Sequence, residues 1–306
     1  MYLHQSSLYK KYILSLRWNA ETVDGSYVYY KKFPLLGGFV KIQRPKKLPA
    51  ISKLVPFLHN IGVNKISVEP EYSMDRKKFS AWCRKLSKHV TLNTIPNIPT
   101  KTILIDITTG ENDIFRRFAE AKRRAVRRAQ KNNIVVRESN DIRDLMAIKN
   151  KSGGLFGFVV TWGIEKLWPI FAPKNAAILL AYCSPVIARS PDPIGVTWQS
   201  LEYKLKRLLR FARNDNVIVG GILLLFWNKT AYYWIAGATR KGKKLFAPTL
   251  LVWEALKLSK ARGCRNFDFV GVWDERNPNY GGSWKGFTKF KEGFGGKEIY
   301  YPFYRQ

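Results

Sequence analysis

Histidine is almost missing from this chain of 306 residues: His4, His59 and His89 are the only three. A Ser-His-Asp or Cys-His machine would have to draw its base from the first third of the chain. Cysteine is as scarce. Cys83, Cys183 and Cys264 stand far apart, with no CxxC pair and no neighbouring histidine. That argues against a zinc site or a disulfide framework, so no metal is expected, and it suits a reducing cytosol. Long apolar runs are lacking too. The longest, Val217–Trp227, is too short to span a bilayer and reads as a buried strand. The first eighteen residues lack the apolar core of a signal peptide. Acidic residues number only 22 against 53 Lys and Arg, a formal net charge of +31.

That excess is spread along the chain. Residues 1–150 hold 29 cations and 12 acids, and residues 151–306 hold 24 and 10, so no basic tail hangs from a neutral body. Such a field attracts polyanions, either nucleic acid or an anionic membrane surface. A general basic bias with no partner is the plain alternative. Apolar residues make up 46% and charged residues 25%, a composition that folds around a core.

Strand and helix signals alternate. Lys101–Ile107 reads as a strand, bounded by Pro99 and Gly110. Thr108 and Glu111 have the spacing of a capping box, and one helix is expected from there to about Asn132. Its apolar positions Ile114, Phe118, Ala121, Ala125 and Ala129 define a buried face. Eight cations occupy the remaining faces. Ile134–Arg137 reads as the next strand. Val217–Trp227 and Thr230–Gly237 flank Asn228-Lys229 and should form a hairpin. A helix opens near Pro248 and closes at Gly263. Asn266–Val270 follows as a strand, 271–289 as a long loop, and Ile299–Tyr304 as an aromatic strand. A segment broken by Pro185, Pro191 and Pro193, residues 184–213, reads as a basic surface insertion.

Hairpin, helix, strand and loop in this order, without histidine, suit a GNAT-type acyltransferase domain. There the protein mainly orients amine and acyl donor and stabilises an oxyanion. The coenzyme A members cradle pyrophosphate with a loop of the type RxxGxG. Here the stretch from Gly237 to Phe246 has one interior glycine, and Lys244, Leu245 and Phe246 would crowd a pyrophosphate. No cofactor is therefore expected.

An ordered set of stretches resembles the Fem-type peptidoglycan-bridge aminoacyltransferases, a family similar to two fused GNAT domains. Gln5-Ser6-Ser7-Leu8-Tyr9 is similar to its N-terminal signature, and Val68-Glu69-Pro70-Glu71 to its D-P-E segment. Leu104–Ile107 and the basic Arg123–Gln130 follow. Tyr233–Ala238 and Phe246-Ala247-Pro248 resemble its hairpin and helix start. Phe267–Gly271 resembles "Y-D-L-G-G", and Phe290–Gly295 the closing "F-K-x-x-F-G". The implied fold is α/β (α+β), two GNAT-like domains with mixed sheets. The first would span 1–138 and be completed by a C-terminal strand at 297–306; the second would span 139–296.

The implied activity moves an amino acid from an aminoacyl-tRNA co-substrate to the stem-peptide amine of a peptidoglycan precursor. Both substrates are polyanions, in accord with the charge. Lys291 stands where the family has a cation near the reacting carbonyl, Phe290 beside it, and Glu69 where an acid is proposed as general base. Lys10 or Lys11 would meet phosphate. Trp162 and Lys166 fall where a nucleotide-using member has Arg and Tyr, and Ile235 replaces another Tyr. These departures favour a lipid-linked acceptor over a nucleotide-linked one, with the protein in the cytosol at the membrane's inner face. Arg123, Arg124, Arg127 and Arg128 would face tRNA, or form a solvated helix face. Asp106 and Asp268 read as structural hydrogen-bonding residues. An acyl-CoA-dependent N-acyltransferase and a non-catalytic RNA-binding module remain the alternatives.

Overall fold

The computed structural model describes residues 2–33, 37–153, 162–183, 217–278 and 280–304. The basic insertion expected at 184–213 lies outside them. The chain begins with a short 3-10 turn, Leu3–Gln5, and the helix α1, Ser7–Ser15, capped by Ser6 Oγ accepting from Tyr9 N. An antiparallel meander follows: β1 (Asn19–Val23), β2 (Ser26–Phe33) and β3 (Gly37–Gln43). Helix α2 (Ile51–Asn60) leads to β4 (Lys65–Glu69), and α3 (Arg76–Leu86) to the short β5 (Thr91–Leu92). Both strands add in parallel, giving a mixed five-stranded sheet in sequence order. Val28, Val40, Ile42, Leu54, Leu58 and Ile66 are fully buried beneath it.

A second, seven-stranded sheet takes up the rest of the described chain. It opens with β6 (Lys101–Asp106), α4 (Glu111–Arg116), α5 (Glu120–Lys131) and β7 (Ile134–Ser139). Next come α6 (Ile142–Gly153), α7 (Ile164–Phe171), β8 (Ala176–Cys183), β9 (Val217–Trp227) and β10 (Thr230–Ala238). The remaining elements are α8 (Arg240–Lys244), α9 (Ala247–Ala261), β11 (Asn266–Asp268), α10 (Lys285–Glu292) and β12 (Lys297–Tyr300). Strand order is β12-β6-β11-β10-β9-β8-β7, and only β10 and β11 run parallel. The sheets therefore divide between Leu92 and Lys101, not at 138/139.

Hairpin chemistry acts where the residues suggest. Asn228 and Lys229 both have positive φ, 47° and 58°, the twist a two-residue hairpin turn needs. The expected helix from Thr108 to Asn132 is instead two. It breaks at Arg117–Ala119, where Phe118 is buried and Ala119 N donates to Gly293 O at 2.9 Å. A tertiary partner has replaced the intrahelical acceptor. The capping box does not form either: Thr108 N and Oγ1 both donate to Asp106 Oδ1, and Gly110 takes the cap position. The loop expected over 271–289 ends early, because α10 begins at Lys285. Likewise the strand expected to Val270 stops at Asp268, and Val270 turns the chain with φ 65°.

The C-terminal strand pairs with β6, Tyr300 opposite Lys101, so it does meet a strand from the first half of the chain. That strand belongs to the second sheet, whose edge β12 closes. Past it, Tyr301 and Tyr304 cross to the first sheet, where Tyr304 packs on that sheet's core.

The interior glycine of the stretch after β10 has a packing role. A Cβ on Gly242 would come within 2.1 Å of Val219 O, a clash with main chain that no rotamer relieves. Gly242→Ala is expected to lower stability by about 1–3 kcal/mol, the usual cost of overpacking, read as a lower melting temperature.

Candidate active site

Two adjoining cavities lie on the α8–α9 side of β10. One of about 460 Å³ runs between β9, β10, α6 and the start of α9, past Lys149, Gly237, Lys243, Phe246 and Thr249. The other, of about 470 Å³, is lined by Lys291, Phe269, Gly271 and Phe287. They share Lys149, Tyr233, Ala236 and Phe290. The result is a continuous apolar channel carrying three ammonium groups.

Lys291 is the most constrained of the three. It sits in the last turn of α10, 9% exposed, and its Nζ donates to Phe269 O at 2.9 Å and Gly271 O at 2.6 Å. Those carbonyls flank Val270, and the positive φ there turns both toward the same nitrogen. The rings of Phe287, Tyr233 and Phe269 lie 4.9, 5.5 and 5.7 Å from Nζ. Burial lowers the lysine's pKa from 10.5 to about 7; Lys149 acts in the same direction and Asp268 against it. Of its three N–H groups two are taken by carbonyls, leaving one for a ligand.

Phe290 borders both cavities. Lys122 Nζ lies 3.9 Å from the centre of its ring, and burial lowers that lysine's pKa as well. Lys149 is shifted down by burial first and by Lys243 second. A half-buried Lys149 and an exposed Lys243 lining one cavity make a site suited to an anion. Lys149, Lys243 and Lys122 carried no sequence signal that set them apart among 53 cations. Topology alone gathers them.

The remaining sequence candidates fall elsewhere. Glu69, at the end of β4, is 1% exposed and does not line the Lys291 channel. Its Oε1 accepts from Ser67 Oγ at 2.9 Å and Asn97 N at 2.6 Å, which anchors the loop before β6. Burial raises its carboxyl pKa against the pull of those donors and of Arg44 and Lys41. Gln5 is likewise tied down, exchanging hydrogen bonds with the main chain of Tyr27 and donating to Gln43 O. Lys10 Nζ lies 4.9 Å from the Tyr27 ring centre, and Lys11 is exposed on α1. Trp162 is 63% exposed just before α7, and Lys166 Nζ donates to Ser15 O at 3.1 Å. These four cluster around α1 and α7, away from Lys291.

On α5, Arg123 donates to Arg116 O, Arg124 pairs with Glu120 at 3.6 Å, and Arg127 lies over Phe115. Arg128 sits 5.7 Å from the Phe246 ring and so marks the channel's rim. Arg124, Arg127 and Arg128 are exposed, and one surface pair worth about 0.3–0.5 kcal/mol does not withhold them from a phosphate. Asp106 and Asp268 take the hydrogen bonds expected of them, from Thr108 and from Thr102 with Val270.

Residues 197–301 match the FemAB family model, a span that contains both Phe267–Gly271 and Phe290–Gly295. The crystal structure of FemX superposes with a TM-score of 0.67 at 16% identity, covering 98% of this chain and 90% of that one. The C-terminal domain of a putative lysylphosphatidylglycerol synthetase from Agrobacterium fabrum gives 0.54 at 11% identity, covering 98% and 87%. L-PGS from Bacillus licheniformis gives 0.54 at 12% identity, covering 98% and 88%. The sequence comparison with curated proteins gives no match. The chain thus shares the fold of FemX, and the Fem-type resemblance read from its ordered motifs is borne out.

A lysine whose pKa falls on folding binds fewer protons in the native than in the unfolded state between the two values. Stability from Lys291 should therefore rise with pH from about 7 to 10.5, and stay flat outside that window. Urea unfolding across this range is expected to show a steeper rise in the wild type than in Lys291→Met, the remaining rise coming from Lys41, Lys122 and Lys149, whose pKa values burial also lowers.

Proposed function

We propose that the chain transfers an aminoacyl group from the 3′ ester of an aminoacyl-tRNA to an amine on a peptidoglycan precursor. The observation that carries this reading is the channel itself. A buried ammonium at Lys291 adjoins a slot lined by Lys149 and Lys243, and of these Lys243 and Lys291 lie inside the span that matches the FemAB family. Aromatic faces at Tyr233, Phe246 and Phe290 suit the stacking of terminal bases, and the paired lysines suit the phosphates between them.

In this reading the ester carbonyl lies against the third N–H of Lys291. As the amine attacks, negative charge grows on the carbonyl oxygen, and a fixed donor stabilises it more than the neutral ground state. The two carbonyls of Phe269 and Gly271 hold that donor in place, so no reorganisation is needed when charge develops. With a pKa near 7, Lys291 is close to half protonated at neutral pH, and an anionic ligand draws the proton on. The exposed arginines of α5, with Arg128 at the rim, extend the cationic path outward for the tRNA backbone. Coenzyme A as donor is less well supported, because α8 and Phe246 occupy the stretch where a glycine-rich cradle would run. The acceptor is read as lipid-linked, and the protein as cytosolic with peripheral contact at the membrane.

Two experiments test this. Lys291→Met should fold, bind aminoacyl-tRNA, and lose ~10²–10³-fold in kcat for transfer to purified lipid-linked precursor. A rise in KM with kcat unchanged would make Lys291 an anchor for the tRNA end only. Arg123, Arg124, Arg127 and Arg128 changed together to Glu should weaken tRNA binding and flatten its log–log salt dependence by roughly 0.7–0.9 for each phosphate no longer neutralised. Unchanged affinity would mean a solvated helix face.

A further inference from the structure

A third cavity, of about 230 Å³, lies in the seam between the two sheets. It shares Pro99, Trp234 and Val270 with the Lys291 channel, so the two spaces adjoin. On its wall is Asp268, only 4% exposed. Both hydrogen bonds to this carboxylate, from Thr102 Oγ1 at 2.6 Å and Val270 N at 2.7 Å, fall on Oδ1. Oδ2 takes none among the described residues and is left as the acceptor on the cavity side. The buried His4 ring lines the cavity beside it, and burial together with Arg44 and Lys41 lowers its pKa and keeps it uncharged.

The walls are aromatic. Tyr9 and Trp234 lie 4.8 and 5.9 Å from the His4 ring, and Tyr301 closes the far side. Arg44, the cation on the wall, is already committed: it lies 3.4 Å over the Tyr301 ring and donates to Pro70 O and Pro99 O. A carboxylate oxygen, an uncharged imidazole ring and aromatic faces, in a space too small for a nucleotide, fit a primary ammonium. Asp268 and Lys291 meet on one short stretch of main chain: the first accepts from Val270 N, the second donates to the carbonyls on either side of Val270.

We propose that this cavity seats the amine that becomes acylated, with Asp268 Oδ2 receiving its ammonium and then one of its protons. The proposal rests on the aminoacyl-transfer reading and adds to it the seat of the nucleophile and its base, the role that the resemblance had given to Glu69. Asp268 takes a proton from R–NH3+, and the freed lone pair forms the C–N bond to the ester carbonyl in the adjoining channel. The C–O bond to the ribose then breaks. The ribose oxygen leaves with a proton from the attacking nitrogen, and Asp268 returns its own to solvent. Burial raises the Asp268 carboxyl pKa and so brings its proton affinity toward that of an amine, while Arg44 and Lys291 limit the rise.

Asp268→Asn keeps an acceptor for Thr102 and Val270 and removes the charge. It is expected to lower transfer to the lipid-linked precursor by ~10²–10⁴-fold. Transfer to hydroxylamine, an amine already uncharged at neutral pH, needs no base and should fall only as far as losing Asp268's support for the Lys291 ammonium lowers it, well short of the loss with the precursor. Equal loss with both acceptors, or no loss with the precursor, overturns the proposal. A second measurement does not depend on turnover. The ε-methylene signal of Nα-acetyl-lysinamide should broaden saturably with wild-type protein, and lose that broadening with Asp268→Asn and with Trp234→Leu, both checked for folding by circular dichroism. Wild-type protein that binds this amine yet transfers nothing from any aminoacyl-tRNA would sink the transfer reading and leave the amine seat standing. Wild-type protein that does not bind it sinks the seat.

Discussion

An ammonium held by two main-chain carbonyls, in a setting that pushes its pKa toward neutrality, constrains everything around the candidate site. Lys291 can reach Phe269 O and Gly271 O only because Val270 adopts a positive φ, a conformation costly for a β-branched residue. That turn ends β11 after three residues, sends the chain out into the segment leading to α10, and fixes where the helix bearing Lys291 returns. Gly293 O then accepts from Ala119 N and splits what would have been one long basic helix into α4 and α5. The break places Lys122 over Phe290 and aims the exposed arginines of α5 along the channel's rim.

The seam between the sheets is the second constraint. Leu3, Tyr9, Tyr12 and Ile13 from the N-terminal turn and α1 pack with Tyr29 of the first sheet and with Leu167, Phe171, Leu223 and Leu225 of the second. Gln5 satisfies three hydrogen bonds at once, so the N-terminal signature has a structural role: it ties the start of the chain to the first sheet. The same packing creates the small aromatic cavity in which Asp268 Oδ2 has no hydrogen-bond partner among the described residues. Burial on this scale normally demands that polar atoms be paired. An acceptor left open in a cavity that adjoins Lys291 is the kind of exception that calls for a ligand.

Charge divides into two kinds that composition cannot separate. Most of the 53 cations are solvated, and each contributes to a long-range field that salt screens. Lys149, Lys243 and Lys291 line the channel, where burial lowers the pKa of Lys149 and Lys291. There their repulsion is stored until an anion enters. The first kind steers a polyanion toward the surface, and the second fixes one segment of it.

Local signals were enough for the elements whose cause is local. The hairpin turn at Asn228-Lys229, the start of α9 near Pro248 and its end at Gly263 follow from backbone preferences within a few residues. The ordered Phe267–Gly271 and Phe290–Gly295 stretches pointed to Lys291 and Phe290, which do share a cavity. Long-range pairing was not legible. Which sheet takes β6 and β12, where the helix after β6 breaks, and that Glu69 serves a loop while Asp268 borders the seam cavity all depend on partners far away in sequence. Sequence by itself determined the alternation of strands and helices, the cationic field and the closing motif, because each is written in neighbouring side chains. Only the tertiary structure decided which lysines and which carboxylate lose water and face one another, because that selection is made by packing.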